Sequence, residues 1–271
     1  MAVRLNGDVP ELSIIVPAHN EAERILPYLQ QIADYFHKQE RSYEVLVVDD
    51  GSTDDTALVV REAADSNPAI ELIQLPFRQG KGAAVRLGMQ SASGYLQLFT
   101  DADGATPIQE IARLQKAMAD GADLAIGSRA LAASALSFAV RSRFHRSVLG
   151  TLFNAAVRHT GIEGIRDTQC GFKLFRRVIA QELFGYSSIN GFGFDLELLY
   201  LARQRGYRIA EVPVNWTDQP GSKVRIFKDG LAMFRELVII RRNYARGLYD
   251  VPTFSAALAP ASAGEFEFPP W

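Results

Sequence analysis

Short apolar runs alternate with helix-patterned stretches through the first half of the chain, and this alternation limits the fold more than any other feature. Residues 12–17 (LSIIVP), 43–48 (YEVLVV), 69–75 (AIELIQL), 95–99 (YLQLF) and 123–126 (DLAI) read as strands. A helical pattern fills residues 21–38, where Ile25, Leu29, Ile32, Ala33 and Phe36 recur on one face. Further helices are expected at 54–66, capped by Ser52 or Thr53, at 82–91, and from Pro107 to about 119. Strands and helices joined by short connections predict an α/β fold with a mainly parallel, twisted sheet covered on both faces.

In such sheets ligands bind beyond the carboxyl ends of the strands. Four polar clusters fall on that edge: His19-Asn20-Glu21, Asp49-Asp50, Lys81, and the triplet Asp101-Ala102-Asp103. Two carboxylates flanking a small residue at a strand tip suit a hard cation such as Mg²⁺, which in turn neutralises a departing diphosphate. Alone, Asp-x-Asp is also turn chemistry. The convergence of four clusters on one edge is what argues for a metal and phosphate role.

The regularity fades after residue 127. Residues 141–158 read as a basic amphipathic helix, 167–177 as a loop and short strand, 194–205 as a helix and 207–214 as a strand. A long amphipathic helix is expected at 226–245, and a loosely ordered tail with four prolines at 251–271. Charge is polarised: residues 1–123 hold 19 acids and 10 bases, residues 124–271 hold 12 and 19, and no acid lies between Asp123 and Glu163. This division suggests a cation-needing half followed by an anion-handling half. A single cysteine, Cys170, excludes a disulfide framework and suits a reducing compartment. No apolar run approaches the ~20 residues of a membrane span, and the N-terminus lacks a signal-peptide layout. The expected location is therefore cytoplasmic, with any membrane contact peripheral.

Val16-Pro17-Ala18-His19-Asn20-Glu21, Val47-Val48-Asp49-Asp50-Gly51-Ser52-Thr53-Asp54 and the Asp101–Asp103 triplet together resemble the family 2 inverting glycosyltransferases of the GT-A (Rossmann-like) fold, whose sequences read VPxxNE, VVDDGSxD and DxD. The resemblance covers roughly residues 12–245. It implies one catalytic domain over 1–250, with a nucleotide-sugar and metal half at 12–127 and an acceptor half at 128–250. Gly127-Ser128-Arg129, the Arg/Ser stretch 143–147, Asp167-Thr168-Gln169-Cys170-Gly171-Phe172-Lys173, and Glu211-Val212-Pro213-Val214 with Gly221-Ser222-Lys223 are similar to the branch acting on dolichyl or polyprenyl phosphate. Asp101–Thr106 and DTQCGFKLF look most like the dolichyl-phosphate β-glucosyltransferases within it, which use UDP-glucose. In mannosyl relatives a Gln often stands where Ala105 stands here.

The resemblance assigns Pro17, His19, Glu21, Val48 and Asp50 to the nucleoside, Lys81, Asp101 and Ala102 to the diphosphate, and Asp101 with Asp103 to Mg²⁺ or Mn²⁺. Arg129, Arg143, Ser147 and Lys223 are expected to cradle the acceptor phosphate. Arg143 and Ser147 are four apart and share a helix face, and the arginine fork suits phosphate. Asp103, Arg129 and Asp195 are the expected catalytic groups. A phosphate acceptor is already anionic, its second pKa being about 6, whereas a hydroxyl acceptor would need Asp195 or Asp167 as base. The partners implied are a nucleotide-sugar donor, a lipid phosphate and the cytoplasmic face of a membrane, with no nucleic acid and a separate membrane subunit left open. For the membrane, Phe227, Leu231, Phe234 and Val238 form a stripe on 226–245, amid seven bases and two acids from Lys223 to Arg246. The segment from Phe138 to Phe153 is a second membrane candidate. Other readings keep the chemistry with GDP-mannose or another donor, pass the sugar to a soluble hydroxyl, or make the chain a non-enzymatic nucleotide-binding protein. A nucleotidyltransferase would need a Gly-rich loop where AHNEAER stands.

Overall fold

The computed structural model describes residues 9–134, 138–141, 164–219 and 226–250. The expected helix at 141–158, the tail at 251–271, and Arg143, Ser147 and Lys223 lie outside the described residues. The first half follows the anticipated alternation: β1 (Leu12–Ala18), α1 (Ile25–Gln39), β2 (Tyr43–Asp49), α2 (Thr56–Ser66), β3 (Ile70–Gln74), α3 (Lys81–Ser91) and β4 (Leu96–Thr100). A single 3₁₀ turn at Ile108–Glu110 leads into α4 (Ile111–Ala119), followed by β5 (Leu124–Ser128) and the short α5 (Arg129–Ala133). Then come β6 (Val140–Arg141), β7 (Phe172–Arg176), α6 (Arg177–Tyr186), α7 (Phe194–Gln204), β8 (Ile209–Pro213), β9 (Trp216–Thr217) and α8 (Ile226–Ala245).

Seven strands form one sheet in the order β3-β2-β1-β4-β7-β5-β8, while β6 and β9 pair separately. The side-chain period of two splits the sheet into two cores. Ile15, Leu46, Val48 and Phe99 face α3, α6 and α7, with Ala84, Met89, Leu183 and Leu199. Ile14, Val16, Val45, Val47 and Leu98 face α1, α2 and α4, with Ile32, Phe36, Val60 and Leu114. Burial on both faces explains why these strands read as continuous apolar runs.

Two features depart from expectation. β7 runs antiparallel between β4 and β5, so the otherwise parallel sheet has a reversed strand near its centre. Residues 177–186 form α6, which the sequence reading did not anticipate. Ile179, Ala180, Leu183 and Phe184 give it a buried face. It packs on α3, where Gln181 Nε2 donates to the Met89 carbonyl at 3.0 Å and Gln90 Nε2 to the Phe184 carbonyl at 3.2 Å.

α1 begins four residues later than its pattern suggests. Asn20 adopts φ 56°, and the Glu21 carbonyl accepts N–H groups from Arg24 and Ile25 at 2.9 and 3.0 Å. The 21–24 stretch is therefore spent as a turn that turns the chain out of β1. On α8 the packing face is Met233, Leu237 and Ile240, while Phe234 and Val238 of the expected stripe are exposed at 47% and 67%. Among the described residues no helix is long and apolar enough to cross a membrane.

Candidate active site

The loops after β1 and β2 are tied together by side chains reaching backbone. The Asn20 N–H donates to Ser52 Oγ (2.8 Å), the Thr53 N–H to Asn20 Oδ1 (2.8 Å) and the Glu21 N–H to Thr56 Oγ1 (2.7 Å). His19 Nδ1 lies 2.9 Å from the Asp50 carbonyl oxygen. These contacts form one wall of a cleft of about 770 Å³ lined by His19, Asp49, Gly51–Thr53 and the 74–78 segment after β3. Glu21 stands beside it in an ion pair with Arg24 at 2.5 Å.

Asp50 meets His19 through its backbone carbonyl and turns its carboxylate to the loop before α3. It is buried, and its Oδ1 and Oδ2 accept the Gln79 and Gly80 N–H groups at 2.6 and 2.9 Å. It fixes the approach to α3. The Asp49 carboxylate, buried to the same degree, accepts from the Ser52 N–H (3.1 Å) and from Gln74 Nε2 (3.3 Å). The Val48 side chain belongs to the core. It falls on the same face of β2 as Leu46 and is fully buried beneath α3.

The second part of the site lies at the end of β4. Lys81, the first residue of α3, places Nζ 2.5 Å from Asp101 Oδ1. Burial works against the Lys81 ammonium, yet the Asp101 and Asp195 carboxylates outweigh it and hold its pKa above the usual lysine value. Asp103 Oδ1 accepts the Ala105 N–H at 3.0 Å. Burial, with the Asp101 charge beside it, raises the Asp103 carboxyl above its ordinary value. Ala102 between them turns into the core and is buried, so only its backbone is available to a ligand. Gly104 adopts φ 63° with its Cα against Tyr28, whose hydroxyl lies 2.7 Å from Thr100 Oγ1.

On the other side, Arg129 opens α5 and meets Asp167 as a two-pronged pair. Nε and Nη2 lie 2.7 Å from Oδ2 and Oδ1, and the Arg129 N–H also reaches Oδ2 at 2.9 Å. The guanidinium stands over the Trp216 ring at 5.4 Å. Burial favours a protonated Asp167 carboxyl, but the Arg129 charge and hydrogen bonds prevail and hold its pKa below the ordinary range. Two of the five guanidinium N–H groups go to Asp167, so Arg129 retains donors for an oxyanion.

Asp195, expected as a base, is 2% exposed, and its Oδ1 holds the Nζ of fully buried Lys173 at 2.5 Å. Burial raises its carboxyl pKa despite the Lys173 charge. The aspartate is thus enclosed beneath the site. The structure therefore brings Lys81, Asp101, Asp103 and Asp195 together at one sheet edge, with Arg129 near enough for the Asp101 charge to act on it. Sequence reasoning set Asp49 in a polar cluster at this edge without giving it a role, and missed Lys173 and Gly171. A Cβ at Gly171 would lie 2.2 Å from Asp101 Oδ2, so only glycine fits against that carboxylate. The quoted DTQCGFK segment held the signal for both Gly171 and Lys173.

The family model described as "Glycosyl transferase family 2" matches residues 13–184, and the chain belongs to that family. Among curated relatives, a dolichyl-phosphate β-glucosyltransferase from Dictyostelium discoideum is 38% identical over 251 residues, covering 89% of this chain and 76% of its own. The Homo sapiens enzyme of that name is 38% identical over 252 residues (88% and 77%), and that of Saccharomyces cerevisiae 36% over 255 (88% and 76%). Among solved structures, glucosyl-3-phosphoglycerate synthase from Mycobacterium tuberculosis, crystallised with Mn²⁺, UDP and glucosyl-3-phosphoglycerate, superposes with a TM-score of 0.62 at 20% identity, covering 86% of this chain and 78% of that one. That likeness bears on the fold, which is the GT-A arrangement of a helix-flanked, mostly parallel sheet.

Proposed function

We propose that this protein moves a glucosyl unit from UDP-glucose to dolichyl phosphate or a related polyprenyl phosphate, with inversion at the anomeric carbon. The acceptor class rests chiefly on one observation: both candidate base carboxylates are engaged. Asp167 is tied to Arg129 and held in its ionised form, and Asp195 is enclosed against Lys173. A hydroxyl acceptor would need a base, whereas a phosphate monoester is anionic above its second pKa of about 6. The identity to dolichyl-phosphate β-glucosyltransferases over most of the chain supports the same reading.

In this reaction an oxygen of the acceptor phosphate bonds to the anomeric carbon. The bond from that carbon to the β-phosphate oxygen breaks, and UDP departs with the electron pair. The cleft beside His19 and Asp49 suits the nucleoside, and Lys81 stands where the diphosphate charge would collect. Arg129 is placed to orient the acceptor phosphate from the opposite side, joined in this reading by Arg143, Ser147 and Lys223.

A divalent cation, Mg²⁺ or Mn²⁺, suits Asp101 and Asp103. Both offer hard oxygen donors, and the repulsion that helps raise Asp103 is what a cation relieves. Among the described residues no group of three His, Cys, Asp or Glu could hold a metal, so these two carboxylates would share the ion with diphosphate oxygens. Once bound, such an ion neutralises the leaving diphosphate.

We also place the protein peripherally on the cytoplasmic face of a membrane. Exposed Phe234, Val238 and Ile239 on α8, among exposed Arg235, Arg241 and Arg242, suit an anionic lipid surface. Incubation with radiolabelled UDP-glucose and polyprenyl phosphate should give organic-soluble label that disappears with EDTA. Absence of that label, or stronger labelling from GDP-mannose, overturns the assignment.

A further inference from the structure

The Asp101 carboxylate is gripped from two sides. On one side the β4–β7 ladder, whose last pair is Thr100 with Phe172, is extended by the Asp101 N–H, which donates to the Gly171 carbonyl at 3.1 Å. The carboxylate lies so close to Gly171 that an added Cβ would meet its two oxygens at 2.2 and 2.5 Å. On the other side, Lys81 Nζ holds Oδ1 at 2.5 Å. The position of Asp101 therefore depends on how far the 168–171 segment stands from the first turn of α3.

One buried ion pair spans the two sides. Lys173, central in the sheet opposite Phe99 and Ile126, donates to the Thr168 carbonyl (3.1 Å), the Cys170 carbonyl (2.8 Å) and Asp195 Oδ1 (2.5 Å). An ammonium has three N–H groups, and all three are used. Two of them pin the backbone on either side of Gln169, immediately before Gly171. The third reaches the start of α7, which abuts the start of α3. The Gly82 N–H donates to the Asn190 carbonyl at 2.8 Å, and a Cβ on Gly82 would lie 2.8 Å from Phe194 Cβ.

We propose that the Lys173–Asp195 pair is a positioning device for Asp101. It sets the distance between the Gly171 wall and the Lys81 wall, and through it the orientation of the carboxylate toward a divalent cation. This rests on the reading of Asp101 as a metal carboxylate. A pair kept for stability alone would be a poor design, because replacing a buried ion pair with apolar residues of similar volume is often neutral or stabilising.

The test uses Asp195→Asn and the double variant Lys173→Met/Asp195→Leu. Folding is read by thermal melting and Mn²⁺ binding by calorimetry in the presence of UDP, with UDP binding also measured in EDTA. Both variants should melt cooperatively and bind UDP in EDTA as the parent does, while Mn²⁺ affinity falls at least about tenfold, the usual effect of removing a group that orients a metal ligand. Folded variants with parental Mn²⁺ affinity overturn the proposal. Failure of both to fold also overturns it, by assigning the pair to stability alone. Asp101→Ala is the control: if it binds Mn²⁺ like the parent, the underlying metal reading fails instead.

Discussion

The two parts of the site are built by different means. The cleft beside His19 is assembled by neutral and singly charged hydrogen bonds among the loops after β1, β2 and β3: Asn20 with Ser52 and Thr53, Glu21 with Thr56, and Asp50 with the backbone of Gln79 and Gly80. The aspartate side is assembled by three ion pairs, Lys81–Asp101, Arg129–Asp167 and Lys173–Asp195, drawn from segments spread over more than a hundred residues. A recognition surface for a flat, mostly neutral base calls for rigid backbone. On the proposed function, a surface that handles diphosphate, metal and phosphate together calls for fixed charges whose repulsions are balanced in advance. Losses on the cleft side should accordingly appear as weaker nucleotide binding and lower stability, and losses on the aspartate side as slower chemistry.

The largest expected effect tests the aspartate side directly. Asp103→Ala should lower kcat on the order of 10²–10³-fold, the range seen when a group stabilising transition-state charge is removed, with UDP binding in EDTA retained. Steady-state transfer assays check the first and calorimetry the second; an equal loss of both would erase the distinction between the two sides. Next in size, Gly171→Ala forces a methyl group into the Asp101 carboxylate. A misplacement of this order costs about 10²-fold in activity and overpacking about 1–3 kcal/mol of stability, measurable by kinetics and urea unfolding. Activity that survives intact would show that Asp101 tolerates displacement.

On the cleft side, Asp50→Ala removes the acceptor of the Gln79 and Gly80 N–H groups and should cost about 1.5–3 kcal/mol, the range for hydrogen bonds to a charged group. Nucleotide affinity should fall and the maximal rate should hold, as read by urea melts and a KM-against-kcat comparison. The smallest change, Ser52→Ala, removes one acceptor for the Asn20 N–H and should cost about 1 kcal/mol. Thermal melting resolves a shift of that size, and an effect larger than that of Asp50→Ala would reverse the ranking within the cleft.

The same contrast governs what the sequence disclosed. The cleft motifs sit directly after apolar strands, and the parts that bond to one another, such as Asn20 with Ser52, belong to consecutive strand–loop units. Strand periodicity alone therefore brings them to one edge. The aspartate side depends on a strand reversal that no local pattern encodes. The FKLFR run of β7 pairs equally well in either direction, and Lys173 within it resembles the solvent-facing residue of an edge strand. Its burial makes sense only with Asp195, twenty-two positions later, and the carbonyls of Thr168 and Cys170. The side chains of Val48 and Ala102 lie in the core: adjacency to a motif says nothing about which face of the backbone a side chain occupies.

The reversed strand has a further consequence. β5 ends at Ser128 on the ligand-binding edge, and β7, because it runs backwards, begins at Phe172 on that same edge. The chain from 129 to 171 therefore leaves and re-enters the sheet at neighbouring points on one rim. This makes it a cassette with respect to the main sheet: exchanging it re-threads none of the seven strands and disturbs only the β6–β9 pair. On the proposed reading of Arg129 as an acceptor contact, an engineer seeking a new acceptor would exchange that stretch, keep Arg129 and the 167–171 return as the splice points, and leave residues 12–127 as they stand.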